Sequence, residues 1–295
     1  MSAEGNYSQA NTNGDPLEKD FHQHLGSNEQ ADNALQRIRT AGSISISPEL
    51  FEKIYLSPQN RVAGDLRKTF ANPTPLCLIG FLLALFPLSF ALLGWRGAGG
   101  LGAATVGTYW FAGGLLMILG AVGEFILGNT FPFIVFGSFG SFWLIFGATL
   151  TPYFNAIGAF NVPASGDSPE VSGIENPVFN HSFGYFTLSM GLMCFFYLIC
   201  ALRTNVVFVL IFLLLIPAFG LLTGVFLETP QGNPDMIHNM TVAAGALAFV
   251  VCLLGWYLFF GIMLASVDFP LALPVGDLST MIKPLSSKQK VSEEV

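Results

Sequence analysis

Glu124 is the one acidic or basic residue set well inside a long apolar run of this chain. A carboxyl group in such surroundings serves proton or ion movement by default; otherwise it reaches the interface and its oxygens meet headgroups. Both readings are open for Glu124, which lies about a turn from the end of its run. Gly128, Asn129 and Thr130 follow it. Gly and Asn accept the left-handed conformation that ends one helix, and Asn or Thr caps the next, so this spacing predicts a tight hairpin. Asn72-Pro73-Thr74-Pro75-Leu76 opens another apolar run. Asn is a good N-cap and Pro suits a first turn, which predicts a fixed helix start with free N–H groups. Such an end attracts a small anion, or it is a helix start and nothing more. Gly140-Ser141-Phe142-Trp143 sets small residues beside large aromatics, either to pack on a neighbour or to line an aromatic pore.

No catalytic constellation accompanies these residues. GxSxG, HExxH, Walker and GxGxxG patterns are all missing from the sequence, so neither enzyme chemistry nor ATP-driven transport is expected of it. His22, His24, His181 and His238 fall in the polar N-terminal part or at helix ends, where a lone His is usually solvated. Cys77, Cys194, Cys200 and Cys252 share no CxxC spacing and lie in apolar runs. They read as small hydrophobes, with neither a metal site nor a disulfide framework expected, and no cofactor.

Composition says what must hold these side chains. Of 295 residues, 52% are hydrophobic and 11% charged, against about a quarter charged in an ordinary soluble domain. The net charge of −7 leaves no basic face for a phosphate backbone, which excludes nucleic acid. Charge is also segregated: residues 1–71 carry nine of the 19 acids and seven of the 12 bases. The first forty or so residues are rich in Asn, Gln, Ser, Gly and Asp and cannot bury enough surface to offset chain entropy, so disorder is expected over 1–46. No apolar stretch opens the chain, and no secretory signal is expected. In the segment 47–71, Ser47 and Pro48 can start a short helix with Leu50, Phe51 and Ile54 on one face, able to dock at a membrane surface.

Six apolar runs follow, at about Pro75–Leu93, Val106–Leu127, Phe131–Phe154, Phe183–Ala201, Val206–Leu227 and Thr241–Ala265. Each approaches the ~20 residues that cross a hydrocarbon core. They are apolar on every side and about twice a barrel strand's length, so the fold class is all-α: a six-helix membrane bundle over 72–267, followed by a tail over 268–295. Arg61, Arg67, Lys68, Arg203, Lys283, Lys288 and Lys290 against Arg96 alone put both termini on the cytoplasmic side. The sequons at Asn180 and Asn239 then fall at outer helix ends, where chance occurrence outweighs use, and that at Asn6 is cytoplasmic. Gly220-x-x-x-Gly224 and Gly80-x-x-x-Ala84 are small-residue spacings that let helices approach closely.

In this order the segments resemble the acetate uptake transporter family, also called the succinate–acetate permease family. Its Asn-Pro-Ala-Pro-Leu-Gly-Leu signature reads Asn72-Pro73-Thr74-Pro75-Leu76-Cys77-Leu78 here, with Thr for Ala and Cys for Gly. Its Glu-x-x-x-Gly-Asn-Thr-Phe motif is matched by Glu124 and Gly128-Asn129-Thr130-Phe131, and its aromatic third-helix motif by Gly140-Ser141-Phe142-Trp143. The stretches Ser47–Phe51 and Tyr55–Asn60 are similar to those of fungal members. The resemblance covers about residues 47–270 and implies six helices per subunit, a pore in each protomer, a hexamer, and a plasma-membrane location. It implies uptake of acetate, and of other short monocarboxylates or succinate, with protons. It also implies a pore constriction at Phe81, Phe139 and Leu215, where Phe139 replaces a bacterial Tyr and lacks its hydroxyl. A membrane sensor of the acetic-acid response and an ammonia exporter are the alternatives that the same resemblance carries.

Overall fold

The computed structural model describes residues 70–165, 169–278 and 281–282. The expected disorder of 1–46, the sequon at Asn6 and nearly all of the amphipathic segment 47–71 lie outside these residues. Among the described residues six helices are long and apolar enough to cross a membrane. They are α1, Thr74–Leu93; α2, Gly100–Ile126; α3, Thr130–Leu150; α4, Pro177–Ala201; α5, Val206–Glu228; and α6, Pro234–Ser266. The fold is an all-α membrane bundle, as the apolar runs predict. Among the described residues extended pairing takes the form of isolated bridges, such as Val162 to Val171 and Asn205 to Asp277.

Several helix starts follow the Asn-Pro logic more closely than hydropathy does. α4 begins at Pro177, ahead of the expected Phe183, because Asn176 caps it by accepting the Val178 N–H at 2.9 Å. α6 begins at Pro234, ahead of Thr241, with Asn233 accepting from Met236 at 3.2 Å. Conversely α3 stops at Leu150, short of Phe154, since Pro152 opens a separate 3-10 turn. These shifts move both sequons into helices. Asn180 is buried, and its amide donates to the carbonyls of Ile174 and Asn176, so it offers no accessible nitrogen for glycosylation.

The helices follow one another around the bundle in chain order. α1 packs on α2 and on α6, α2 on α3, and α5 between α4 and α6. Rings close the remaining gap: Phe142 of α3 stacks on Phe186 of α4, and Phe146 meets Phe183. The close approach of α1 to α2 depends on Gly80, where a Cβ would sit 2.7 Å from the Ala112 carbonyl oxygen. Of the other small-residue spacing, Gly224 faces Met240 of α6 while Gly220 faces open space, so only its second glycine marks a helix contact. In the middle of α2 residues Tyr109–Leu116 widen into a π-helix. It brings Gly113 beneath the ring of Trp143 and Gly114 beneath Leu144.

After α6 the chain turns back. Tyr257 donates to the Pro274 carbonyl at 2.7 Å, Val275 is buried, and Val206 N–H donates to Gly276 at 2.8 Å. Leu278 N–H then reaches Thr204 at 2.9 Å. The expected tail therefore runs back along α6 at Leu273 and Pro274 and reaches the α4–α5 turn at Gly276, Asp277 and Leu278.

Candidate functional site

Two groups of side chains stand out inside the bundle, one polar and one aromatic. The polar group gathers where α1 begins and α2 ends. Glu124 is 0% exposed, which removes the reading in which its carboxyl reaches headgroups. Thr74 Oγ1 donates to Glu124 Oε1, and Asn129 Nδ2 donates to Oε2 at 2.6 Å. Asn129 N–H also donates to the Glu124 carbonyl at 2.9 Å. One residue beyond α2's last turn therefore folds back to serve both the backbone and the carboxyl of Glu124. The hairpin that supplies it turns at Gly128, φ 74°. Thr130, at the head of α3, is exposed and takes no part in this cluster.

The start of α1 differs from expectation. Asn72 Oδ1 accepts the Thr74 N–H at 3.0 Å, but the N-cap position is Pro73, so Asn72 acts from one residue before the cap. Pro75 has no N–H, and those of Leu76 and Cys77 both donate to the Pro73 carbonyl, at 3.0 and 3.3 Å. The first-turn donors are thus satisfied within the motif, and the predicted row of free N–H groups does not exist. A carboxyl does lie at this positive end, but it is the protein's own: Glu124, through Thr74. Leu76 points outward and is exposed.

The aromatic group occupies the middle. Phe81 of α1 and Phe139 of α3 meet edge to face, with ring centroids 5.9 Å apart. Both are buried, and Leu215 of α5 is buried in the same apolar core. Further along α3, Phe142 meets Phe219 of α5 at 5.5 Å, and Trp143 stacks on Tyr109 of α2 at 5.1 Å. The indole N–H of Trp143 is buried without a hydrogen-bond acceptor among the described residues. The Gly140–Trp143 motif had left packing and pore lining open; Trp143 packs on α2.

Between the two groups lies a cavity of about 10 Å³, lined by Thr74, Phe131, Pro132, Val135, Phe136 and Phe208. Thr74 is the only lining residue with a polar side chain. Phe81, Phe139 and Leu215 follow Thr74, Phe136 and Phe208 one to two turns further along α1, α3 and α5. The cavity and the three residues therefore lie on one course between the same three helices, about 5–10 Å apart along it. No group of His, Cys, Asp and Glu fit to hold a metal ion occurs among the described residues.

The fold and these groups define a polytopic membrane protein with a buried aromatic pair in its core and a buried carboxyl where α1 meets the end of α2. The chain belongs to the GPR1/FUN34/yaaH family, whose pattern it matches over residues 56–280. It is 45% identical over 237 residues to Protein alcS of Aspergillus fumigatus, covering 80% of this chain and 86% of that protein. It is 31% identical to the acetate transporter protein patA of Aspergillus clavatus, covering 71% of this chain and 79% of the relative. The solved structure of the bacterial acetate channel SatP superposes with a TM-score of 0.52 at 27% identity, over 70% of this chain and 99% of that one. The relatives of this chain that are named by activity include an acetate transporter, an acetate permease and an acetate channel, and the family is not one of enzymes.

Proposed function

We propose that the chain carries acetate, and other short monocarboxylates or succinate, across the plasma membrane together with protons. The observation that carries this reading is the edge-to-face pair of Phe81 and Phe139 in one buried core with Leu215. An apolar waist is a steep barrier to a hydrated anion, since isolated charge in low dielectric is very costly. It is a mild one to acetic acid, whose methyl suits the rings. The likeness to patA and to the SatP channel supports acetate as the substrate. The family resemblance supports a hexamer with a passage in each protomer. The Lys and Arg distribution supports cytoplasmic termini, which would place Glu124 at the inner end of the passage.

The test is uptake of labelled acetate by purified protein in liposomes, in competition with propionate, butyrate and succinate. Phe81→Ala opens the waist and is expected to raise the uptake of the larger acids relative to acetate. An unchanged ranking contradicts the waist. Protein that moves no acid at all leaves a sensor of acetic acid or an exporter of ammonia as the function of the chain.

A further inference from the structure

Resting on that reading, we propose that Thr74 is a proton relay: its hydroxyl accepts the proton of an undissociated carboxylic acid at the cavity below Phe81 and passes its own to Glu124. Three observations meet here. Thr74 is both the single polar wall of the cavity and a donor to Glu124 Oε1. A hydroxyl has one hydrogen and two lone pairs, so donating to Glu124 leaves Oγ1 able to accept from a guest. The cavity volume of about 10 Å³ is the room of one water-sized group, so it admits the O–H end of an acid and not the whole molecule. With Phe131, Pro132, Val135, Phe136 and Phe208 as the other walls, that O–H meets no competing side-chain partner.

The step balances. The acid's O–H bond breaks as its proton reaches Thr74 Oγ1, and the hydrogen already on Oγ1 moves to Glu124 Oε1. The acid becomes a carboxylate and Glu124 a neutral carboxylic acid; the same two transfers in reverse return the proton to a departing group. Asn129 holds the other carboxyl oxygen at 2.6 Å and fixes the direction of Oε1. The remaining titratable side chain facing Glu124 from α1 is Cys77, which is buried and donates to the Met117 carbonyl at 3.8 Å. That contact occupies the thiol's one hydrogen, so it does not compete with Thr74 as a donor to Glu124.

The experiment compares acetate uptake into liposomes with and without an inward proton gradient, after subtracting protein-free liposomes. The readout is the ratio of the two rates, which an ordinary loss of folded protein does not move. Thr74→Val keeps the shape and removes the hydroxyl; it is expected to bring the ratio down to parity, as is Glu124→Gln. Thr74→Ser keeps the relay and should hold the ratio near that of the unaltered protein. A Thr74→Val ratio equal to the unaltered protein's overturns the relay alone, as does a Thr74→Ser ratio that collapses with it. An unaltered protein that moves no acetate overturns the transport reading and the relay together.

Discussion

Two regions of the proposed passage, one end and the middle, are built by opposite means. Where α1 starts, a few polar atoms hold the structure: Thr74 and Asn129 clamp one carboxyl, and Asn72 and Pro73 absorb the first-turn N–H groups. In the middle, Phe81, Phe139, Phe142 and Trp143 hold it by ring contacts, with scarcely a polar atom among them. Hydrogen bonds are directional and cannot be shared among many neighbours, whereas aromatic packing is spread over many contacts. The polar end should therefore fail at single atoms and in function. The aromatic waist should fail by volume and in stability.

The largest expected effect comes from emptying the waist. Phe81→Ala removes a ring buried against Phe139 and should cost ~3–5 kcal/mol, read as a lower thermal midpoint in detergent, besides the broadened substrate range. Overfilling should come next. A Cβ at Gly113 would fall inside contact distance of the Trp143 ring, so Gly113→Ala must displace the indole or bend α2. A cost of ~1–3 kcal/mol is expected, with the near-ultraviolet signal of Trp143 changed.

These two sites show where sequence reading stopped. The six spans were legible because an apolar run of that length has few other uses, and Glu124 was legible because it interrupts one. The partner of Glu124 was not: Thr74 lies fifty residues away, and only the packing of α1 on α2 joins them. The π-helical stretch of α2 that seats Gly113 under Trp143 also leaves no mark in hydropathy, since widening one turn changes no residue type. The early starts of α4 and α6 were written in Asn176-Pro177 and Asn233-Pro234, but hydropathy outweighed caps. The satisfied N–H groups after Asn72 follow from Pro73 taking a helical conformation, at φ −81° and ψ −16°, which its sequence neighbours did not announce.

At the polar end the expected losses are smaller in stability and larger in function. Asn129→Ala deprives Glu124 Oε2 of a buried donor and should cost ~1–3 kcal/mol, with the proton-gradient stimulation of uptake lost before the protein unfolds. Asn72→Ala removes the acceptor for Thr74 N–H, worth ~1 kcal/mol, and Asn72→Asp should behave almost as the unaltered protein, because that donor pair is local and the anion-attracting N–H groups are already used. Acetate uptake abolished by Asn72→Asp in a stable protein would restore the open anion site that the geometry argues against. Thr130→Ala, on an exposed residue outside the cluster, should change stability by under ~0.5 kcal/mol and leave uptake alone.

The central claim is that acetate crosses the Phe81–Phe139 waist in company with a proton. Its most direct test is the initial rate of labelled acetate entry into liposomes containing the purified chain, measured with the lumen alkaline to the outside and again with no gradient. The account predicts entry well above protein-free liposomes that rises steeply under the inward proton gradient. Entry that equals the protein-free rate, or that is as fast without the gradient as with it, would contradict it.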